Sequence, residues 1–192
     1  MTEVVAVFGG TFNPPHIGHL ALANYVCECT EADELWFMVT PCNPFKVGGN
    51  LLDDHVRLKM VEAAVEGYAQ FRASDFEFHL PRPSYTVSTL AGLRRSFPDY
   101  RFVLLIGADN WLAFDKWRQP EKILAHHEVW VYGRPGLTVD AGSLPRGVRL
   151  LDAPLLEVSS TFIRQSVALG RDVRYYTHPA VWEIIERQQL YR

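Results

Sequence analysis

The chain has 192 residues, 48% of them hydrophobic, and a formal net charge of -3 at pH 7. This length is enough to bury a core without disulfides or metals, and we expect a single domain over residues 1–192. The slightly acidic balance disfavours broad electrostatic binding to nucleic acid or to an anionic membrane. No apolar run of about 18 residues predicts a transmembrane helix.

Three cysteines, Cys27, Cys29 and Cys42, lack a second Cys or His pair at the spacing of a zinc site. Their odd number, with no signal-peptide pattern at the N terminus, is typical of a reducing compartment. We therefore expect a cytoplasmic protein with free thiols and no metal held by protein ligands alone.

Short apolar segments alternate with amphipathic segments along the chain, which indicates alternating strands and helices. In chain order we predict a strand at 3–8, a helix at 17–29, a strand at 35–39, a helix at 53–65, one or two strands at 71–78, a helix at 84–97 capped by Ser84, a strand at 101–106, a helix at 119–125, a strand at 128–132, a turn-rich surface excursion at 137–149, and helices at 159–169 and 179–188. The part from about residue 155 onward is expected to be a small C-terminal helical region.

This alternation predicts an α/β protein with a Rossmann-like parallel sheet flanked by helices. Ligands of such sheets bind beyond the carboxyl ends of the strands, where the strand order reverses. The turns after Phe8, Val39 and Ile106 are therefore the expected place of a functional site.

The segment that follows the first strand reads GGTFNPPHIGH and ends in two histidines. His16 and His19 lie three residues apart at the start of a helix, so we expect them on one face, about 5–6 Å apart. At the positive end of the helix dipole, they can donate hydrogen bonds to oxygens whose negative charge grows during phosphoryl transfer. The alternative is a glycine-proline turn with two surface histidines.

The same segment offers backbone groups to a phosphate and space to a flat ligand. Glycines allow close approach of the backbone, and Gly18 leaves room for a ring such as adenine. The candidate ligand-binding residues here are Gly9, Gly10, Thr11, Phe12, Asn13 and Gly18. A P-loop and a dinucleotide fingerprint are excluded, because neither Gly-Lys-Ser/Thr nor G-x-G-x-x-G occurs here.

A second motif, EVSSTFIRQ, opens a helix near the C terminus. Ser159, Ser160 and Thr161 are good helix-capping residues with hydroxyl donors. Arg164 projects from the same face one turn later. Exposed amides, hydroxyls and a guanidinium suit a polyphosphate, although a capped helix with a surface arginine is the simpler alternative.

The two motifs together resemble those of the nucleotidyltransferase superfamily, and GGTFNPPHIGH is similar to the segment found in nicotinate-nucleotide adenylyltransferases. The resemblance implies a nucleotidyltransferase fold and the transfer of AMP from ATP to nicotinate mononucleotide, giving nicotinic acid adenine dinucleotide (NaAD) and pyrophosphate. Class I aminoacyl-tRNA synthetases share the histidine motif. They carry a Lys-Met-Ser-Lys-Ser loop, which this sequence lacks.

Further candidate residues lie between the two motifs. Lys46, on the loop PCNPFK, is suited to reach a β- or γ-phosphate. Phe45 departs from the Pro-Pro-His-Lys or -Arg pattern of many relatives. The resemblance of SYTVSTL to a family helix start implies that Thr86 and the amide of Val87 hold the nicotinate carboxylate.

The segment IGADNWLAFDKW supplies a second group of candidates. Gly107 and Asp109 follow a central strand, where a carboxylate can accept ribose hydroxyls. Trp117 can stack on a pyridinium ring. The resemblance adds the backbone of Arg118 beside this ring and places Arg134 near the mononucleotide.

The mechanism implied is direct in-line displacement, in which the mononucleotide phosphate attacks the α-phosphorus of ATP. Lys46, Arg164 and a Mg²⁺ ion bound through the ATP phosphates would serve the leaving pyrophosphate. Alternatives are a relative that uses nicotinamide mononucleotide or phosphopantetheine, and a non-catalytic nucleotide-binding protein. We expect no nucleic-acid partner and no membrane partner, and a homo-oligomer is compatible with the sequence.

Overall fold

The computed structural model describes residues 2–41 and 51–192. Within these ranges, six parallel strands form one sheet. The strands are β1 (Glu3–Gly10), β2 (Glu34–Val39), β3 (Phe71–Ser74), β4 (Tyr100–Gly107), β5 (Val129–Tyr132) and β6 (Val148–Leu151).

Helices connect these strands and complete the fold after β6. They are α1 (Ile17–Cys29), α2 (Asp54–Val65), α3 (Thr86–Ser96), α4 (Ala108–Trp111), α5 (Pro120–His126), α6 (Ser160–Ala168) and α7 (Pro179–Arg187). Short 3-10 turns occur at Phe76–His79, Phe114–Lys116, Ala141–Ser143 and Arg174–Tyr176. In the described ranges, no helix is both long and apolar enough to cross a membrane.

The strand order is β3-β2-β1-β4-β5-β6: β2 and β3 lie on one side of β1 and β4 to β6 on the other, so the order of the strands reverses between β1 and β4 although all strands are parallel. This confirms the predicted Rossmann-like parallel sheet. The carboxyl ends of β1, β2 and β4 meet at one edge of the sheet, which is where such folds bind ligands. The division of the chain into a single domain stays a prediction.

Side chains of β1 alternate between two cores, because successive residues of a strand point to opposite faces. Val4, Ala6 and Phe8 pack with α1 and α2 on one face. Val5 and Val7 pack on the other face with residues from α3 and α5. The near-continuous apolar sequence of β1 follows from burial on both faces.

Three predictions of local structure were wrong at their boundaries. The stretch 71–78 is a strand only to Ser74, whose hydroxyl accepts a hydrogen bond from the Phe76 amide and starts a turn. Ser84 does not cap α3, since Tyr85 holds that position. The excursion at 137–149 contains the start of β6, which pairs with β5 through Val148 and Arg149.

One buried side chain holds the loops beyond β1 and β2 together. Arg57 of α2 has no exposed surface, and its Nη1 donates to the carbonyl oxygens of Thr11 (2.6 Å) and Thr40 (2.9 Å). Its Nε donates to the carbonyl of Leu52 (3.0 Å), and its Nη2 pairs with the Asp54 carboxylate. The guanidinium thus ties the two strand ends to the start of α2.

We expect Arg57→Leu to lower the free energy of unfolding by about 3–5 kcal/mol, because three carbonyls and a carboxylate lose a buried charged donor. Urea denaturation followed by circular dichroism measures this. Arg174→Ala is the control, since its ion pair with Asp172 is exposed and should not change the denaturation midpoint measurably. An equal response of the two variants would contradict the role assigned to Arg57.

Candidate active site

A cleft of about 380 Å³ lies beyond the carboxyl ends of the central strands. It is bordered by the ends of β1, β2, β4 and β5 and by the starts of α3 and α6. The predicted site residues that line it are Gly9, Gly10, Thr11, Phe12, His19, Thr86, Gly107, Trp117, Arg134 and Ser160. Segments far apart in the sequence therefore form one cavity.

A larger open groove, of about 970 Å³, lies between α2, β3 and α7. Among the described site residues, none lines this groove. Its size alone therefore gives no reason to place the chemistry there, and the smaller cleft is the candidate active site.

The two histidines of the first motif are in direct contact. His16 is the N-cap residue of α1 and His19 is in its first turn. Their rings are stacked, with centroids 3.6 Å apart. The backbone N–H of His16 donates to Nδ1 of His19 at 3.2 Å. In its neutral form, His19 therefore carries its proton on Nε2, which is a hydrogen-bond donor.

Both imidazoles are held neutral. Burial, and then the positive charge of Arg134, lower the pKa of His16 to about 4. Burial lowers the pKa of His19 well below its usual value, and electrostatic repulsion by His16 and Arg134 lowers it further. At neutral pH the pair therefore supplies N–H dipoles to a ligand without adding charge.

We expect the ring resonances of His16 to stay at their neutral positions from pH 8 to pH 5 and to shift only as the pH approaches the lowered pKa of about 4. The unfolded chain binds this proton more tightly, so His16 also makes the protein less stable as pH falls from about 6.5 towards that value. An NMR titration of the free protein checks this. A titration midpoint near 6.5 would contradict it.

The second motif directly contacts the loop between β1 and α1 (residues 11–16), here called the first loop. The hydroxyl of Ser160 donates to the carbonyl of Pro14 at 2.8 Å. Nη1 of Arg164 donates to the carbonyl of Asn13 at 2.9 Å. These two bonds place the N-terminus of α6 against the segment that leads into α1, so two separated helix starts face one cleft.

The remaining residues of the second motif lie beside this contact. Ser159 caps α6, and its side chain accepts from the Phe162 amide at 3.1 Å. Thr161 and Arg164 line an adjoining cavity of about 460 Å³ and not the main cleft. In this arrangement, the Arg164 guanidinium supports the first loop.

Gly18 lies at a close approach between α1 and the segment before α6. A side chain there would begin 2.9 Å from Cγ1 of Val158 and 3.1 Å from Nδ1 of His16. Gly18 lines a narrow cavity of about 50 Å³ with Leu155 and Arg134. The predicted room for a flat ring is therefore small in this arrangement.

Of the residues predicted to hold the nicotinate, Thr86 and Trp117 line the cleft, and Val87 and Arg118 follow them in the sequence. Thr86 is the first residue of α3 and Val87 is the second, so the Val87 amide lies at the helix N-terminus. The Val87 side chain packs against the core. Trp117 is half-buried and packs at 5.2 Å against the ring of Phe114. Arg118 is exposed, with its guanidinium 4.5 Å from the centre of the Tyr85 ring.

Gly107, at the end of β4, leaves room for two charged side chains, Asp109 and Arg134. A Cβ there would lie 2.4 Å from Oδ1 of Asp109 and 2.8 Å from Nε of Arg134. These two atoms are 3.4 Å apart, and Nη2 of Arg134 donates to the Tyr132 hydroxyl at 3.0 Å. Arg134 borders both the main cleft and the narrow cavity at Gly18. A larger residue at position 107 would disturb this pair.

Sequence reasoning missed three residues that support the site. Arg57 lies on the apolar face of α2, three and four residues before Met60 and Val61, and a charge in that pattern is the signal that could have revealed it. The Tyr191 hydroxyl donates to Oδ1 of Asn13 at 2.8 Å, and Glu77 is a buried carboxyl in the cleft. The sequence around these last two gives no comparable signal.

Lys46, Phe45 and Cys42 lie outside the described residues. The two described cysteines, Cys27 and Cys29, are free thiols.

The comparisons with known proteins agree with this geometry. Residues 7–166 match the family described as cytidylyltransferase-like. A probable nicotinate-nucleotide adenylyltransferase of Bacteroides fragilis is 54% identical over 182 residues, which are 95% of this chain and 90% of that protein. Another, of Flavobacterium johnsoniae, is 42% identical over 98% of each chain. The chain belongs to the cytidylyltransferase-like family.

A solved structure has the same fold as this chain. Nicotinic acid mononucleotide adenylyltransferase of Plasmodium falciparum, complexed with NaAD, superposes with a TM-score of 0.82 and 20% identity. The match covers 98% of this chain and 97% of that one. These findings confirm both the family resemblance seen in the sequence and the nucleotidyltransferase fold.

Proposed function

We propose that this family member is an adenylyltransferase that joins the AMP part of ATP to nicotinate mononucleotide, releasing NaAD and pyrophosphate. The observation that carries the proposal is the contact between the two motifs, in which Ser160, at the cleft, and Arg164, in the adjoining cavity, both bond to the first loop. The relatives named for this activity span nearly the full chain. The activity belongs to NAD biosynthesis.

The reaction is a displacement at the α-phosphorus of ATP by a phosphate oxygen of the mononucleotide. The attacking oxygen is already anionic at neutral pH, so no general base is needed. Catalysis therefore depends on positioning two anions and stabilising the charge that develops between them. His16 and His19 would donate to the α-phosphate, and the N-termini of α1 and α6 add favourable dipoles.

The leaving pyrophosphate requires positive charge. We assign this role to Arg164, to Lys46 and to Mg²⁺. Across residues 2–41 and 51–192, the structure has no group of three or more His, Cys, Asp or Glu side chains arranged to hold a metal ion. Mg²⁺ would therefore be bound through the phosphates and water, a mode that this ion commonly uses.

The selectivity for the nicotinate carboxylate would come from the start of α3. An amide and a hydroxyl at a helix N-terminus favour an anion over a neutral carboxamide. Thr86 and Trp117 both line the cleft, and the Trp117 ring can stack on the positively charged pyridinium.

Replacing His19 by Ala should lower turnover by roughly a hundredfold or more, the size expected when one donor to a developing anion is lost. Pyrophosphate release with ATP and nicotinate mononucleotide measures it, with circular dichroism to verify folding. His126→Ala is the control, since that histidine is exposed at the end of α5. Near-normal turnover in folded His19→Ala would remove this imidazole from the mechanism.

The unaltered protein should use nicotinate mononucleotide more than about tenfold better than nicotinamide mononucleotide, judged by kcat/KM, because only the former carries a carboxylate on its ring for the α3 amides. Trp117→Ala should raise the KM for nicotinate mononucleotide about tenfold and leave the KM for ATP nearly unchanged. Equal use of both mononucleotides would contradict the assigned substrate, and ATP binding without pyrophosphate release would contradict an enzyme.

A cytoplasmic location, the absence of nucleic-acid and membrane partners, and a homo-oligomeric state stay predictions.

A further inference from the structure

Glu77 is a buried carboxyl group in the cleft for which the reaction described above has no use. It lies in the turn Phe76–His79 after β3 and is only 7% exposed. Its Oε1 accepts a hydrogen bond from the Thr89 hydroxyl at 2.7 Å, and its Oε2 accepts from the Ser84 hydroxyl at 3.4 Å. The Thr40 side chain is near enough to this carboxyl group to lower its pKa. An ordinary surface glutamate would have none of these constraints.

The partners of Glu77 lie on both sides of the predicted carboxylate-binding residues. Ser84 precedes α3, and Thr89 is the fourth residue of that helix, so Thr86 and Val87 lie between two points fixed to one carboxylate. An N-cap side chain can fix a helix start, but the side chain of Tyr85 makes no such bond. The start of α3 is therefore fixed by Glu77 from outside the helix.

Thr40, which directly follows β2 and also lines the cleft, extends this connection. Its amide donates to the carbonyl of Gly10 at 2.9 Å, and its own carbonyl accepts from Arg57. Glu77 thus lies between the start of α3 and Thr40 at the end of β2, and the Thr40 backbone is bonded to Gly10 at the end of β1. A carboxylate suits this position because its two oxygens can accept several hydrogen bonds at once.

We propose that Glu77 is a positioning residue for the mononucleotide, which fixes the start of α3 so that the Thr86 hydroxyl and the Val87 amide face the nicotinate carboxylate. This proposal rests on the proposed function. Glu77 acts through its hydroxyl partners and touches neither reacting phosphate. Burial raises the pKa of its carboxyl, against the opposing effect of the three hydroxyls, so retaining a buried acid here has an energetic cost.

Four variants separate positioning from general stability. Glu77→Leu removes the acceptor oxygens, and Thr89→Val removes the closest partner with little change of shape. Glu77→Gln keeps an acceptor for Thr89 and a polar group for Ser84. Thr177→Val is the matched control, because Thr177 is buried and donates to the Arg174 carbonyl outside the cleft.

We expect Glu77→Leu and Thr89→Val to raise the KM for nicotinate mononucleotide about tenfold, the loss typical of one well-placed hydrogen bond, while the KM for ATP changes less than about twofold. Glu77→Gln should restore most of the mononucleotide affinity, and Thr177→Val should change neither KM. Parallel increases of both KM values, or an equal effect of Thr177→Val, would overturn the proposal.

Hydrogen exchange of the backbone amides at residues 84–90 gives a readout that does not depend on the reaction. These amides should exchange faster in Glu77→Leu and Thr89→Val than in the unaltered protein and Glu77→Gln. If the unaltered protein released no pyrophosphate with any mononucleotide, the proposed function would fail, and so would the mononucleotide part of this proposal. Unchanged exchange in both variants would show that Glu77 does not position the start of α3, whatever the substrate.

Discussion

The buried guanidinium of Arg57 is the interaction on which the geometry of the cleft depends. Parallel strands bring the loops after β1 and β2 to the same edge of the sheet, but the sheet does not determine how those loops turn. Arg57 does so by donating to the carbonyls of Thr11 and Thr40 at once. Burying this charge is favourable only because Asp54 and three carbonyls surround it. The carbonyls of Asn13 and Pro14 in the first loop then accept hydrogen bonds from α6.

The contact between the first loop and α6 gives the cleft its electrostatic character. Two helix N-termini, those of α1 and α6, lie on either side of the segment from Asn13 to His16. Their dipoles favour an anion, while burial keeps the two imidazoles neutral. The free protein thus avoids two adjacent buried cations, which would repel each other and Arg134. A bound triphosphate would favour protonation of the imidazoles, so their charge state is linked to the substrate.

The sequence predicts those parts of the molecule that depend on local chemistry. Helix α1 has the predicted bounds, and the predicted start of the second helix, residue 53, is the N-cap of α2, where Asp53 accepts from the His55 amide. Predictions were wrong where a long-range partner changes the local preference. Ser84 is a good capping residue by itself, yet its hydroxyl is bonded to Glu77, and α3 begins two residues later. The start of β6 was hidden in a turn-rich stretch, because its pairing with β5 is not visible in so short a segment.

The same distinction applies within the site. The motif histidines were found because glycine, proline and histidine at that spacing indicate a function by themselves. Tyr191 could not be found in this way, since its value lies in a bond to Asn13, which is 178 positions away. Asn13 accepts from Arg164 through its backbone and from Tyr191 through its side chain, so one residue joins the first loop to α6 and to the chain terminus. The C-terminal helices therefore serve the cleft in two ways, by presenting the hydroxyl of Ser160 and by holding in place the loop that presents the imidazoles.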